Sequence, residues 1–295
     1  MTSPQESSSH YGGTDLPLTD PETFRVTVIP VPYDATTSYI GGTSKGPAAI
    51  IDASTHMELY DEEIGDETCR IGIHTMMPLP VKNEKPEAML RMVSEAVARN
   101  IAPDQLPVIV GGEHSISPGA VRELVKQYPR LSVLQLDAHA DLRDSYGGTP
   151  FSHACAGRRI SELCPLVQAG IRSLSREEAD FKRSAPVVTF FDHQVKQGEL
   201  ILEDVLRHLT DDVYLTVDLD VLDPAIMPAT GTPEPGGMSW HEITGLLRKL
   251  CLHKRVVAFD VVELCPQPGN VAPDFLAAKL MYRIMGYVAQ SRGWL

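Results

Sequence analysis

Seven apolar runs of strand length recur along this chain and restrict its fold more than any other feature: Val26–Val31, Leu106–Val110, Leu131–Leu136, Val167–Ile171, Val187–Phe191, Val213–Val217 and Val256–Val262. They are rich in Val, Ile and Leu and do not alternate cleanly between apolar and polar positions. Strands that read this way are buried on both faces, as in a parallel sheet. Helical patterns lie between them. In Lys85–Arg99 the apolar positions Ala88, Met89, Met92, Val93, Ala96 and Val97 fall on one face of a helix. Pro118–Tyr128, Leu200–His208, Ser239–Leu250 and Asp274–Tyr287 are similar. Strand and helix in repetition predict an α/β chain with a mainly parallel sheet.

At 295 residues the chain is long enough for one large core. No internal repeat or linker divides it, so residues 21–295 read as a single domain. Residues 1–20, rich in Ser, Gly, Pro and Thr, read as a flexible N-terminal tail or surface arm. The formal net charge of −13 disfavours nucleic acid or an anionic membrane as partner and suits a cationic substrate or metal cations. The five cysteines are odd in number, widely spaced and without a C-x-x-C pair. That pattern suggests neither a disulfide framework nor a thiolate metal site and fits a reducing cytoplasm. No signal-peptide pattern or membrane-length apolar run is present.

In an open parallel sheet, ligands bind outside the carboxyl ends of the strands. Three segments that follow strands carry chemistry there: Gly111-Gly-Glu-His114-Ser115, Asp137-Ala-His139-Ala-Asp141, and Asp218-Leu-Asp220-Val-Leu-Asp223. Alternate residues of a strand share a face, so Asp137, His139 and Asp141 converge if the strand continues, and Asp218 and Asp220 converge likewise. With His114 they offer two imidazoles and four carboxylates. Oxygen-rich ligation with a minority of imidazole suits Mn²⁺, and two divalent ions would neutralise the four acids. Taken singly, each motif has a bland reading: a core histidine, a helix cap, a turn. Together, each at a strand end, they point to a metal centre.

These motifs, with Thr-Pro-Glu-Pro-Gly-Gly at 232–237 and Phe-Asp-Val-Val-Glu-Leu at 259–264, resemble those of the ureohydrolase family, which includes arginase and agmatinase. The resemblance runs from about residue 25 to residue 290. It implies a three-layer α/β/α fold, two Mn²⁺ ions, and a homotrimer or homohexamer. It implies that His114 and Asp141 hold one ion, that His139 completes the other, and that Asp137, Asp218 and Asp220 are shared. It also implies a proton-shuttling role for His153, whose unperturbed pKa lies near neutrality. Glu263 is implied as the carboxylate that pairs with the substrate's guanidinium. Glu113 stands where the family commonly has Asp, and Cys265 where Asn often follows Glu-Leu.

The loop after Asp141 reads Leu-Arg-Asp-Ser-Tyr-Gly-Gly-Thr-Pro-Phe-Ser-His and is similar to agmatinase rather than arginase. The leading substrate is therefore agmatine, a small cationic guanidino compound cleaved to putrescine and urea. Arg143 sits where a tail-binding residue could lie. Its alternatives are a clamp for a substrate carboxylate, as in guanidinobutyrate or formiminoglutamate, and a local pair with Asp144 or another acid. Arginine and free guanidine are further candidate substrates. A one-metal zinc deacetylase of related fold is disfavoured by the complete second set of ligands, and a non-catalytic polyamine-pathway paralogue by their retention.

Overall fold

The computed structural model of the protein describes residues 10–13, 24–196 and 202–295. Its strands are β1 (Val26–Val31), β2 (Tyr60–Asp61), β3 (Asp66–Glu67), β4 (Ile73–Thr75), β5 (Leu106–Gly111), β6 (Leu131–Leu136), β7 (Leu166–Ile171), β8 (Val187–Phe191), β9 (Asp212–Asp218) and β10 (Arg255–Val262). Its helices are α1 (Gly46–Ser54), α2 (Pro86–Asn100), α3 (Ser117–Gln127), α4 (Ala156–Ser161), α5 (Arg176–Phe181), α6 (Asp192–Lys196), α7 (Leu202–His208), α8 (Trp240–His253) and α9 (Ala272–Ser291). All seven apolar runs are strands, within a residue at each end. The helix expected at Leu200–His208 is α7, and its first two residues lie outside the described ones.

Eight strands form one sheet in the order β4-β1-β5-β10-β9-β6-β7-β8, and every pairing in it is parallel. β2 and β3 pair separately as a short antiparallel ladder. Successive residues of the strands enter two different cores. On β5, Leu106, Val108 and Val110 pack with α1, α8 and α9, whereas Ile109 packs with α2 and α3. Leu215 and Tyr214 of β9 divide in the same way. Helices thus cover both faces, which is the three-layer α/β/α arrangement.

The strand order sets the site. β5 and β6 follow one another in sequence with α3 between them, yet β10 and β9 separate them in the sheet. The connections therefore diverge at this point and leave a crevice at the carboxyl ends of the central strands.

Most of the segment expected to be a tail, residues 1–9 and 14–20, lies outside the described residues. His10–Gly13 departs from that expectation. Tyr11 is fully buried; its backbone N–H donates to Thr75 Oγ1 at 3.0 Å and its hydroxyl to the Ala278 carbonyl at 2.6 Å. Gly12 N–H donates to Ser54 Oγ at 2.8 Å. Among the described residues no helix is long and apolar enough to cross a membrane.

Candidate metal centre and active site

β5 ends in Gly111 and Gly112, where the chain passes between packed neighbours. A Cβ on Gly112 would lie 2.0 Å from the Tyr33 carbonyl oxygen, and one on Gly111 would lie 2.5 Å from Ile116 Cδ1. The Gly112 carbonyl accepts from Glu263 N–H at 2.7 Å, which ties the end of β10 to that of β5. His114 follows in a 3-10 turn, 1% exposed. Its Nε2 lies 2.9 Å from Thr216 Oγ1 on β9. This contact turns Nδ1 toward the carboxylates, the usual way a second partner orients a ligating imidazole.

Asp137 follows β6 directly, and strand geometry stops there. The next segment instead runs beside the end of β7, with a parallel bridge between His139 and Ser173. Asp137 Oδ1 accepts from His139 N–H at 2.6 Å, and its Oδ2 accepts from Gln135 Nε2 at 2.7 Å. Gln135 is held in turn by Gln168, and Gln168 by Thr189, a buried amide relay across β6, β7 and β8. Asp141 takes a left-handed backbone conformation, φ 52°.

On β9 the expectation of strand alternation needs correcting. Asp218 is the last strand residue, but Asp220 lies in a 3-10 turn, Leu219–Val221. Asp218 Oδ1 caps that turn by accepting from Asp220 N–H at 2.9 Å. The turn, not the pleat, brings Asp220 round to the same side. Asp223 lies outside the cluster and accepts from Ala225 N–H in its own turn.

The six side chains converge. His114 Nδ1 lies 3.0 Å from Asp137 Oδ2, 3.3 Å from Asp141 Oδ2 and 3.3 Å from Asp218 Oδ2. His139 Nδ1 lies 2.9 Å from Asp220 Oδ2 and 3.8 Å from Asp137 Oδ1. Two groups result, His114 with Asp137 and Asp218, and His139 with Asp137 and Asp220; in each the donor atoms are close enough to hold one cation. Asp137 is common to both.

The electrostatics fit bound cations. Burial and then the Asp137 charge push Asp141 up to about 7. Burial, with Asp220 and Asp137, lifts Asp218 well above the ordinary carboxylate range. Burial alone would deprotonate His139, yet Asp220 overcomes it and raises the imidazole to about 11. His114 Nδ1 is buried among three carboxylates without an aligned hydrogen bond to any of them. An orphaned imidazole nitrogen facing acids that resist ionising together is what a ligand set for divalent cations presents without its cations.

Glu263, at the end of β10, has φ 68°. It and Asp141 are the non-glycine residues with positive φ among those described, and both line one cavity of about 300 Å³. Such conformations cost about 1–3 kcal/mol and concentrate at functional sites. Glu263 Oε1 accepts from His114 N–H at 2.6 Å. Burial and the nearby Glu113 hold its carboxyl well above the usual range. His153 lines the same cavity. It is not poised at neutrality: burial brings it down to about 4, so its imidazole is neutral at pH 7.

Arg143 also lines the cavity, with Nε 4.0 Å from Glu178 Oε2 and its guanidinium 5.2 Å from the centre of the Tyr146 ring. Asp144 faces away to Arg158 and Arg159. Two residues that sequence reasoning missed support the site. Glu234 places Oε1 3.7 Å from His139 Nε2. Arg172 donates to the carbonyls of Asp220, Glu234 and Pro235 at 2.7, 3.1 and 3.1 Å, fixing the loop that carries them. The Glu234 position stood in a recognised motif, whereas Arg172 gives no local signal.

Residues 24–286 match the arginase family. The chain is 38% identical to the N(1)-aminopropylagmatine ureohydrolase of Synechocystis sp. over 275 residues, 90% of each chain. It is 36% identical to the enzyme of that name from Thermus thermophilus, over 97% of this chain and 96% of the relative. The solved agmatine ureohydrolase of Thermoplasma volcanium superposes with a TM-score of 0.87 at 32% identity, covering 98% of this chain and 97% of that one. The match spans every residue of the cluster, and the chain therefore belongs to the arginase family, hydrolases of amidine carbon–nitrogen bonds.

Proposed function

We infer that this protein binds two Mn²⁺ ions and releases urea from a guanidino compound with a cationic tail, either agmatine or its N-aminopropyl derivative. The observation that carries the reading is the convergence of His114, Asp137, His139, Asp141, Asp218 and Asp220 beside Glu263 in one cavity. His114, Asp137, Asp141 and Asp218 would hold one ion, and Asp137, His139 and Asp220 the other. Bound there, two divalent cations neutralise the four carboxylates and acidify water to a pKa of about 7, which makes it a nucleophile at neutral pH.

The chain's own residues do the rest. Glu263 has one oxygen pinned by His114 N–H, and its carboxylate lines the cavity, where it accepts from the substrate guanidinium. Water adds to the guanidinium carbon, and the bond from that carbon to the alkyl-bearing nitrogen breaks. His153, neutral at pH 7, takes up a proton and delivers it to the leaving amine, so that urea and an alkylamine depart.

The tail is read from the cavity wall. Arg143 faces Glu178 and the Tyr146 ring, so we assign it to the wall rather than to a carboxylate clamp. Tyr39, Ile40 and Tyr146 are exposed and line the same cavity, a surface suited to the methylenes of a polyamine. The relatives named N(1)-aminopropylagmatine ureohydrolase favour the longer substrate, and an agmatinase of Pyrococcus horikoshii, 34% identical, favours the shorter.

The test is urea release by Mn²⁺-loaded protein from N-aminopropylagmatine, agmatine, guanidinobutyrate and arginine, with metal content measured in parallel. We expect two Mn²⁺ per chain and turnover of the first two substrates only. Urea chiefly from guanidinobutyrate would return Arg143 to the role of a clamp. One metal per chain, or no urea from any substrate, would overturn the reading.

A further inference from the structure

Glu113 is a fully buried carboxylate that the chemistry above leaves unused. It does not join the metal ligands. Its partners lie in the loop after β1 and in its own turn. Thr36 N–H donates to Oε2 at 2.7 Å, Thr36 Oγ1–H donates to Oε1 at 2.6 Å, and Ser115 Oγ donates to Oε1 at 2.5 Å. Three donors aimed at one buried acid fix its oxygens in place as acceptors.

Thr36 also meets His153. The backbone N–H of His153 donates to Thr36 Oγ1 at 3.0 Å, and His153 Nδ1 lies 3.3 Å from the same oxygen. A hydroxyl has one proton to give, and Thr36 gives it to Glu113. Toward Nδ1 it can therefore only accept, and this contact is a hydrogen bond only when Nδ1 carries the imidazole proton. Ser152 Oγ, also 3.3 Å from Nδ1, serves either tautomer, because a hydroxyl can accept or donate, so the choice falls to Thr36. Nε2 is left as the bare nitrogen; Ser38 Oγ lies 3.5 Å from it, at the exposed end of the ring.

We propose that Glu113 and Thr36 are positioning residues for catalysis, a carboxylate–hydroxyl–imidazole relay that locks His153 in the Nδ1–H tautomer and presents Nε2 to the substrate. This rests on His153 being the proton carrier. In each turnover Nε2 takes one proton from the attacking water and returns one to the leaving amine, while Nδ1 keeps its proton throughout.

The test begins with T36V, which keeps the shape and removes the hydroxyl, and T36S, which restores it. T36V should lower kcat by about tenfold or more, a part of the roughly hundredfold to ten-thousandfold that general acid–base catalysis supplies, with KM little changed. T36S should recover most of that loss. In the H153A background T36V should cost nothing further, because both act through one group. Equal losses from T36V with and without His153, or wild-type kcat for T36V beside a crippled H153A, overturn the relay. If H153A itself is fully active, the assignment of His153 as proton carrier fails instead. A second measurement decides the relay without turnover: imidazole ¹⁵N shifts of the protein loaded with diamagnetic Mg²⁺ should show neutral His153 protonated on Nδ1. They should show mixed tautomers in T36V. An Nε2–H tautomer in the wild type overturns the proposal.

Discussion

A single methyl group at residue 112 would force apart the chain segments that meet there. The Cβ of an alanine would meet the Tyr33 backbone at three atoms, none able to swing away as a side chain could. Gly112→Ala should therefore destabilise the fold by about 1–3 kcal/mol or more, the cost typical of overpacking. It should also weaken Mn²⁺ binding, because His114 and Glu263 are both hung from this turn. Urea denaturation and metal titration would check the two effects, and an unperturbed midpoint would contradict the packing argument. At this scale the candidate ligands were legible in the sequence, and the fold brings them together. Asp137, His139 and Asp141 interrupt an apolar run, and polar groups at a buried strand end need a reason. Their supports were silent. Thr36 and His153, Gln135 and Gln168, His114 and Thr216 meet only through the fold, and nothing in the neighbourhood of either partner announces the other.

Elements were legible where burial alone decided them. Strands such as β1 and β6 showed their full extent because both their faces are buried. β4 escaped notice because it has three residues and turns His74 to solvent. The convergence of Asp220 was foreseen for the wrong reason, since a capped 3-10 turn replaces the strand. One element interaction has a pH signature. Arg283 of α9, 3% exposed, meets Asp61 at 3.0 Å and Glu63 at 3.0 Å and also pairs with Glu62, fastening β2 and the following turn to the helix. Burial opposes ionisation of Asp61, but the Ile64 and Glu63 N–H groups and Arg283 outweigh it, and its pKa lies below the ordinary value. A carboxyl depressed in the folded state stabilises above its unfolded pKa, about 3.9, and loses that contribution as pH falls through the folded value. Stability measured by denaturant between about pH 5 and pH 2 should fall less steeply in Asp61→Asn than in the wild type. Parallel slopes would show that Asp61 contributes nothing to acid unfolding.

For the whole molecule, Tyr11 acts as a clasp. It joins the beginning of the chain to β4 and to the middle of α9. Tyr11→Ala removes a fully buried ring and its hydrogen bond and should cost about 3 kcal/mol, the lower end for buried aromatic truncations. Denaturant melts of the variant would show this, with urea release at saturating Mn²⁺ expected to stay near wild type because the clasp lies outside the cavity lining.

The strand order also governs when the candidate metal centre can assemble. The candidate ligands begin at His114 and end at Asp220, and Glu263 arrives only with β10, which inserts between β5 and β9. A ribosome-bound chain that has emerged through Asp141 holds half the acids but lacks the central strands that would gather them. Pairings between strands so distant in sequence form late. Metal uptake at this centre would thus follow synthesis of nearly the whole polypeptide, and the supply of the cation would act on finished chains rather than on growing ones.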